Sequence, residues 1–198
     1  MRIFVGLDID EGIRTRLSRF MDGVREFAPD ARWVRPESMH VTLKFIGEKP
    51  ANVVEQVKTS LHAVRGQKIQ IAFRGYGFFP TSKSARVFWV GIEAGHELAD
   101  LAAAVDQAMS SLGIPNEEHP FSPHLTLARA GGRSGSPKRQ KDDRPNSGFR
   151  KLQEKLMAMP PFDFGSMAAR SFYLYESKLG AGGSRYTKIG EFPLGNPE

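Results

Sequence analysis

The chain contains the same four-residue pattern twice, as "HVTL" beginning at His40 and as "HLTL" beginning at His124. Successive side chains of a β-strand point to opposite faces, so His40 and Thr42 share one face while the apolar residues share the other. The same alternation places His124 beside Thr126. We therefore predict two strands that each bury an apolar face and present an imidazole and a hydroxyl on the opposite face.

Chance is a poor explanation of this repeat. With five histidines among 198 residues, a second His-x-Thr arises from composition on the order of once in a hundred such sequences. Two ordinary strands with surface histidines are the alternative, and a single His-x-Thr would favour that alternative. Because the pattern occurs twice, we interpret the two segments as functional.

The flanking sequence predicts an α+β fold, with two mainly antiparallel sheets around a central cleft and helices outside. Several strands are separated only by turns, which favours hairpins over parallel crossovers. One motif falls in each half of the chain, so we expect a single bilobal domain over residues 1–198. The predicted strands cover 2–8, 40–47, 68–79, 85–93 and 124–129, with a short apolar stretch at 32–34. The helices begin near 10, 50, 97 and 149, and a hairpin over 167–194 ends the chain.

Composition limits the classes of function. The chain has no cysteine, which excludes disulfides, thiolate metal ligands and cysteine nucleophiles. The start of the chain does not resemble a secretion signal and no apolar run approaches a membrane span, so we expect a cytoplasmic protein without membrane contact. The net charge of +6 favours an anionic partner.

Much of the positive charge lies in one stretch of the chain. Residues 133–151 hold seven basic and two acidic side chains, interspersed with Gly, Ser, Pro and Asn. This composition predicts a flexible basic loop over residues 133–148. Such a loop is either a solvated insertion without a task or a contact to a phosphate backbone, and a phosphate contact would depend strongly on salt concentration.

Two imidazoles and two hydroxyls suit chemistry at a phosphorus atom. The ordinary pKa of histidine is about 6.5, so a neutral imidazole can take a proton from an attacking oxygen while a protonated imidazole gives one to the leaving oxygen. The Thr42 and Thr126 hydroxyls can donate to the non-bridging oxygens, where charge gathers. This chemistry requires no metal ion, and we expect neither a metal nor a cofactor.

The motifs and their surroundings resemble the two-histidine phosphoesterase superfamily, and more closely the RNA 2′,3′-cyclic phosphodiesterases of the LigT or ThpR type. The resemblance runs nearly end to end and includes "RIFVGLDID", "RWVRPESMHVTLKFIGE", "FSPHLTLAR" and "LYESKLGAGGSRYTKIGEFPL". It implies hydrolysis of RNA or nucleotide 2′,3′-cyclic phosphate ends to 2′-phosphomonoesters by a bilobal protein, which we expect to be a monomer. It also implies reversible, ATP-independent 2′–5′ RNA ligation.

The same resemblance assigns roles to single residues. It implies that His40 is the acid and His124 the base, that Thr42 and Thr126 bind the phosphate, and that Arg129 helps to hold the substrate.

Strand alternation makes a further prediction about two basic residues near the motifs. It places Arg129 on the face opposite His124, so a substrate-holding role for Arg129 requires the strand to end or to contain a β-bulge at that point. It places Lys44 on the face of His40 and Thr42, where the ammonium could touch phosphate or only water.

Two other functions fit the sequence. The protein could be a phosphodiesterase for a small nucleotide, such as a cyclic ADP-ribose phosphate, in which case the basic loop is irrelevant. It could also be a non-catalytic module that binds RNA ends, although a pure binder has no need for a matched acid and base. Turnover of a 2′,3′-cyclic nucleotide in EDTA would separate these functions.

Overall fold

The computed structural model of the protein describes residues 1–131, 147–180 and 183–195. The predicted basic loop, 133–148, lies outside these ranges except for Ser147 and Gly148, as do residues 181–182 of the predicted hairpin turn. In chain order, the strands and helices are β1 (Arg2–Leu7), α1 (Glu11–Val24), β2 (Arg32–Trp33), β3 (Val41–Glu48), α2 (Ala51–Ala63), β4 (Ile69–Phe79), β5 (Val87–Ala94), α3 (His96–Ser110), β6 (His124–Arg129), α4 (Arg150–Met157), β7 (Asp163–Ala169), β8 (Ser171–Gly180) and β9 (Gly183–Pro193).

The strands form two sheets, and each sheet contains one of the two motifs. One sheet has four strands in the order β3-β1-β8-β9, and the other has five in the order β2-β6-β5-β4-β7. All of the pairings are antiparallel. His40 immediately precedes β3 in the four-stranded sheet, and His124 opens β6 in the five-stranded sheet. The predicted α+β class with antiparallel sheets is confirmed.

The helices connect the two sheets by packing across them. Helix α1 follows β1 of the four-stranded sheet but packs on β7 of the five-stranded sheet, and α3 packs on β3. The buried stripe of α1, spaced by three or four residues, is Ile13, Leu17, Met21 and Val24. Burial of each such side chain contributes about 1.5–3 kcal/mol, so this packing helps to hold one sheet against the other. Among the helices in the described ranges, none has both the length and the apolar character needed to cross a membrane.

The end of the chain differs from the prediction of one hairpin over 167–194. Residues 163–169 form β7 at the edge of the five-stranded sheet, and β8 begins at Ser171 in the four-stranded sheet. The chain therefore changes sheet at Arg170, whose carbonyl accepts a hydrogen bond from the amide of Leu194 at 2.8 Å. Only β8 and β9 form the predicted hairpin. A local pattern of apolar residues does not specify which sheet a strand joins, because that choice depends on distant partners.

Both motif strands contain a β-bulge at the same motif position. In β3, Thr42 pairs with Gly6 and Lys44 pairs with Val5, which leaves Leu43 without a partner. An extra residue of this kind turns the following side chains to the opposite face. The prediction that Lys44 shares the face of His40 is therefore wrong.

Lys44 points into the interior, where its side chain is 1% exposed. Its ammonium donates to the Asp106 carboxylate of α3 and, at 2.9 Å, to the Pro115 carbonyl. A buried ammonium requires such partners, since desolvation of an unpaired charge is costly. Lys44 thus joins β3 to α3 and the segment after it.

Candidate active site

The imidazoles of the two motifs are held by the same local hydrogen bond. In each case the ring Nδ1 lies 2.8 Å from the carbonyl oxygen two residues earlier in the chain, Ser38 for His40 and Ser122 for His124. A carbonyl can only accept a hydrogen bond, so Nδ1 carries the hydrogen in both rings. The Nε2 atom of each ring is then left to take up or give a proton. The repeat in the sequence is therefore longer than the motif, since both segments read Ser-x-His-x-Thr-Leu.

The electrostatics of His40 connect it to the residues of the other sheet. Burial lowers the pKa of His40 to about 4, although the hydrogen bond to Ser38 opposes the shift. The charges of Arg129 and His124 lower this pKa further, and the charge of Asp8 raises it. His40 is therefore close enough to His124 and Arg129 for their charges to act on it, and β3 and β6 contact each other, so the two motifs meet between the sheets. Titrations of two such imidazoles are coupled and belong to the pair.

His124 is less strongly perturbed. Burial lowers its pKa, the hydrogen bond to the Ser122 carbonyl opposes this change, and the charge of Arg129 lowers the pKa again. Both imidazoles are therefore predominantly neutral at pH 7 in the ligand-free protein. A neutral imidazole with Nδ1 protonated has Nε2 as its basic atom.

Aromatic rings surround both histidines and account for much of the desolvation. The His40 ring centroid lies 4.6 Å from that of Phe4 and 4.9 Å from that of Tyr186. The His124 centroid lies 5.0 Å from Phe79 and 6.3 Å from Trp89. Such rings exclude water from one side of the imidazole and disfavour its charged form.

A glycine makes room for the aromatic wall beside His124. A Cβ atom at Gly77 would collide with the Trp89 ring, so any other residue would displace the indole. Sequence reasoning missed these aromatic residues. Strand alternation could have indicated them, because it places Phe79 on the same face of β4 as Gly77.

The threonines lie where the motif alternation predicts. Thr42 and Thr126 are half-buried residues of β3 and β6, two positions after the histidines and before the bulges. Thr126 pairs with Trp89, which contacts His124 from the same face. The hydroxyls therefore accompany the imidazoles on the cleft side of each sheet.

Arg129 lies on the histidine face of its strand because β6 contains a β-bulge. Trp89 pairs with Thr126 and Phe88 pairs with Ala128, so Leu127 is the extra residue. Leu127 and Ala128 are both buried, and alternation then places Arg129 on the histidine face. Arg129 is an exposed residue as a whole, but burial lowers the pKa of its guanidinium, and its charge acts on both imidazoles. The cleft thus combines two proton-transfer groups, two hydroxyls and one permanent cation.

Comparison with known proteins identifies the class to which this fold and this cleft belong. The family model described as LigT-like phosphoesterase matches this chain twice, over residues 7–89 and over residues 90–186. Each match contains one of the two motifs. The chain belongs to this phosphoesterase family.

Two of the most similar curated relatives are more specific. Both are named RNA 2′,3′-cyclic phosphodiesterase. The protein of Methanothermobacter thermautotrophicus is 30% identical over 98% of this chain and 99% of its own length. That of Archaeoglobus fulgidus is 30% identical over 97% of this chain and 99% of its own length.

Solved structures agree with this assignment. A crystal structure of a Thermus thermophilus protein is 27% identical, has a TM-score of 0.76 and covers 98% of both chains. E. coli LigT complexed with 3′-AMP is 25% identical, with a TM-score of 0.74, over 98% of this chain and 97% of that one. The predicted fold and family are therefore confirmed over nearly the whole chain.

Proposed function

We propose that this protein is an RNA 2′,3′-cyclic phosphodiesterase, which hydrolyses cyclic phosphate ends of RNA or nucleotides to 2′-phosphomonoesters. The observation that carries the proposal is the pair of imidazoles, each held through Nδ1 by a backbone carbonyl and close enough for the charge of His124 to act on His40. A matched acid and base are what in-line displacement at phosphorus requires. The names of the curated relatives support the same activity.

The reaction can be written with the groups present in the cleft. One Nε2 takes a proton from water as the water oxygen forms a bond to phosphorus. The bond between phosphorus and the ribose O3′ breaks, and the other Nε2 gives its proton to O3′. The products are a 2′-phosphate and a free 3′-hydroxyl, and proton exchange with solvent restores the two imidazoles.

The remaining site residues would stabilise the charge that develops on phosphorus. The Thr42 and Thr126 hydroxyls would donate to the non-bridging oxygens, and the Arg129 guanidinium would pair with their negative charge. These are the residue roles implied by the family resemblance. The positions of all three side chains on the histidine faces support them.

The acid must acquire its proton when the substrate binds. In the ligand-free protein both pKa values lie below 6.5, and that of His40 is about 4. A cyclic phosphate carries a negative charge, which favours the protonated form of a neighbouring imidazole. We propose, from the family resemblance, that His40 is the acid and His124 the base, and that the negative charge of the substrate raises the pKa of His40 so that it carries the proton.

Phosphorus NMR of a 2′,3′-cyclic nucleotide incubated with the protein in EDTA tests the proposal. We expect a single 2′-phosphomonoester product at an undiminished rate, because proton transfer supplies the catalysis. Turnover that EDTA abolishes and a divalent ion restores would overturn the metal-independent mechanism. Failure to cleave any cyclic nucleotide would overturn the proposed function. The remaining hypothesis would then be a non-catalytic module that binds RNA ends.

Reversible 2′–5′ ligation stays a prediction, as does action on a cyclic ADP-ribose phosphate. Ligation would use the same steps with the 5′-hydroxyl of a second RNA in place of water, and the reverse steps would cleave the 2′–5′ link to restore the cyclic phosphate. We also propose a single bilobal domain over residues 1–198 that acts as a monomer in the cytoplasm. Both histidines come from one chain, which supports the monomer.

A further inference from the structure

A cavity of about 640 Å³ opens beside His40 on the side of the four-stranded sheet. Its walls are formed by the end of β1, the first turn of α1, residues 36–39 and the strands β8 and β9. This volume lies within the range of about 300–1,000 Å³ that is typical of small-molecule sites. Because His40 is one of its lining residues, a ligand in the cavity would be continuous with a phosphate held at the imidazole.

The charges of the cavity disfavour an anion. Its charged side chains are Arg14 and Lys188 against Asp8, Glu11 and Glu37, which leaves an excess of one negative charge. The cations are already paired. Arg14 Nη2 donates to Asp8 Oδ1 at 2.8 Å, and Lys188 Nζ donates to Asp8 Oδ2 at 2.6 Å. A second phosphate would find no free positive charge among these side chains, whereas an uncharged group with hydrogen-bonding edges would be accommodated.

Two tyrosines give the cavity an aromatic wall next to His40. The Tyr186 ring packs edge-on against His40 with centroids 4.9 Å apart, and the Tyr175 centroid lies 6.1 Å from His40. Planar aromatic ligands stack on walls of this kind, and nucleobases do so regardless of their sequence.

The hydroxyl of Tyr175 is a buried donor whose partner is missing. Tyr175 is 6% exposed, and no group of the described residues forms a hydrogen bond with its hydroxyl oxygen. Buried polar atoms are almost always hydrogen-bonded, and this unpartnered hydroxyl belongs to a residue that lines the cavity, so a ligand in the cavity is the partner nearest at hand. Burial raises the pKa of Tyr175 above its usual value, and the hydroxyl therefore keeps its hydrogen and acts as a donor.

We infer that this cavity is the subsite for the nucleoside that bears the cyclic phosphate, and that the Tyr175 hydroxyl donates a hydrogen bond to it. This inference rests on the proposed function, because it places the phosphate of the same nucleotide at His40. The base lies against Tyr186, and an acceptor atom of the base or the ribose meets Tyr175.

Tyr175→Phe is the direct test, since it removes only the unpartnered hydroxyl. The matched control is Tyr173→Phe, which removes a hydroxyl from the same strand that already bonds Glu191 at 3.2 Å and does not line the cavity. Both variants are assayed on adenosine 2′,3′-cyclic phosphate and on glycerol 1,2-cyclic phosphate, which has the reacting ring but no base.

For Tyr175→Phe we expect the ratio of kcat/KM between the nucleotide and the base-free substrate to fall about tenfold through KM, as expected for a lost hydrogen bond to the substrate. The variant should be at least as stable as the wild type, because a buried unsatisfied hydroxyl has been removed. Tyr173→Phe should leave the ratio unchanged. An unchanged ratio for Tyr175→Phe, or an equal loss on both substrates, would overturn the inference.

Binding separates this inference from the proposed function. Calorimetric titration with adenosine and with inorganic phosphate requires no turnover. We expect Tyr175→Phe to weaken adenosine binding about tenfold and to leave phosphate binding within twofold of the wild type. If the wild type binds adenosine but cleaves no cyclic nucleotide, the proposed function fails while the subsite stands. If the wild type cleaves cyclic nucleotides and Tyr175→Phe binds adenosine with the affinity of the wild type, the subsite assignment fails while the proposed function stands.

Discussion

Strands β3 and β6 carry the same motif, the same Nδ1 hydrogen bond and a bulge at the same leucine, but they differ in the two residues that follow. After Leu43, β3 buries Lys44 and turns Phe45 outward, where the ring is 48% exposed. After Leu127, β6 buries Ala128 and turns Arg129 toward the histidines. The shared motif orients the imidazoles, and the residues after the bulge determine the charge around them.

The comparison also separates the two histidines. The His40 ring lies against Phe4 and Tyr186, and its pKa falls to about 4. His124 is less desolvated, and its pKa is lowered by a smaller amount. Equivalent sequence positions thus carry imidazoles with different proton affinities, and His124 keeps the higher one. The assignment of His40 as the acid therefore rests on the family resemblance, and it requires the bound phosphate to raise the pKa of His40.

The largest expected effect is the loss of either imidazole. His40→Ala and His124→Ala should each lower turnover of a 2′,3′-cyclic nucleotide about a thousandfold, the contribution typical of a positioned acid or base. A nitrophenyl phosphodiester distinguishes their roles, because nitrophenolate leaves without a proton. His40→Ala should recover much of its relative rate on that ester, whereas His124→Ala should remain impaired on both substrates.

Two outcomes contradict this division of roles. Rescue of His124→Ala by the nitrophenyl ester, with no rescue of His40→Ala, would reverse the assignments. Rescue of neither variant would show that proton donation to the leaving group is not the task of one imidazole.

The next largest effect is on stability and concerns Lys44, which has Ala128 as its counterpart in β6. Lys44→Ala leaves the Asp106 carboxylate without its ammonium partner, so the free energy of unfolding should fall by about 3 kcal/mol. Urea denaturation measures this change, and kcat below the unfolding transition should stay within twofold of the wild type. A large loss of turnover at unchanged stability would instead favour the original prediction that Lys44 faces the substrate.

The pH dependence of stability should include a contribution of about 2 kcal/mol from His40 between pH 7 and pH 4.5. The folded pKa of His40, about 4, lies below the unfolded value of about 6.5, so the unfolded chain binds more protons between these values. Its contribution is complete above pH 6.5 and is lost as the pH falls toward 4. The urea midpoint should therefore change less between pH 7 and pH 4.5 in His40→Gln than in the wild type. The change in His124→Gln should be intermediate between these two. Equal behaviour of the two variants would contradict the electrostatic difference.

The smallest effect concerns Arg129 and its counterpart Phe45. Arg129→Met should lower kcat/KM on a cyclic nucleotide about tenfold, since a charge-assisted contact to phosphate is lost. Its charge lowers the pKa of both histidines, so the kcat/KM profile should also move to higher pH. Arg129→Lys should retain the position of the profile, and Phe45→Leu should change kcat/KM less than threefold. An unshifted profile in Arg129→Met would place the guanidinium outside the cleft.

Much of the site could be predicted from the motifs alone. Alternation within a strand is a local property of the backbone, so the placement of His40 with Thr42, and of His124 with Thr126, needs no knowledge of neighbouring strands. The same locality explains why α1, α2 and α3 begin within one residue of the predicted positions 10, 50 and 97. The cysteine-free composition likewise restricted the chemistry before any fold was considered.

Only the tertiary structure decided what lies around the imidazoles. The bulges at Leu43 and Leu127 exist in the pairing with β1 and β5, and they alone move Lys44 into the core and Arg129 into the cleft. Tyr175 and Tyr186 reach His40 only because the chain changes sheet at Arg170. Register, bulges and sheet membership are set by contacts between residues far apart in sequence, so the order of residues along one strand does not contain them.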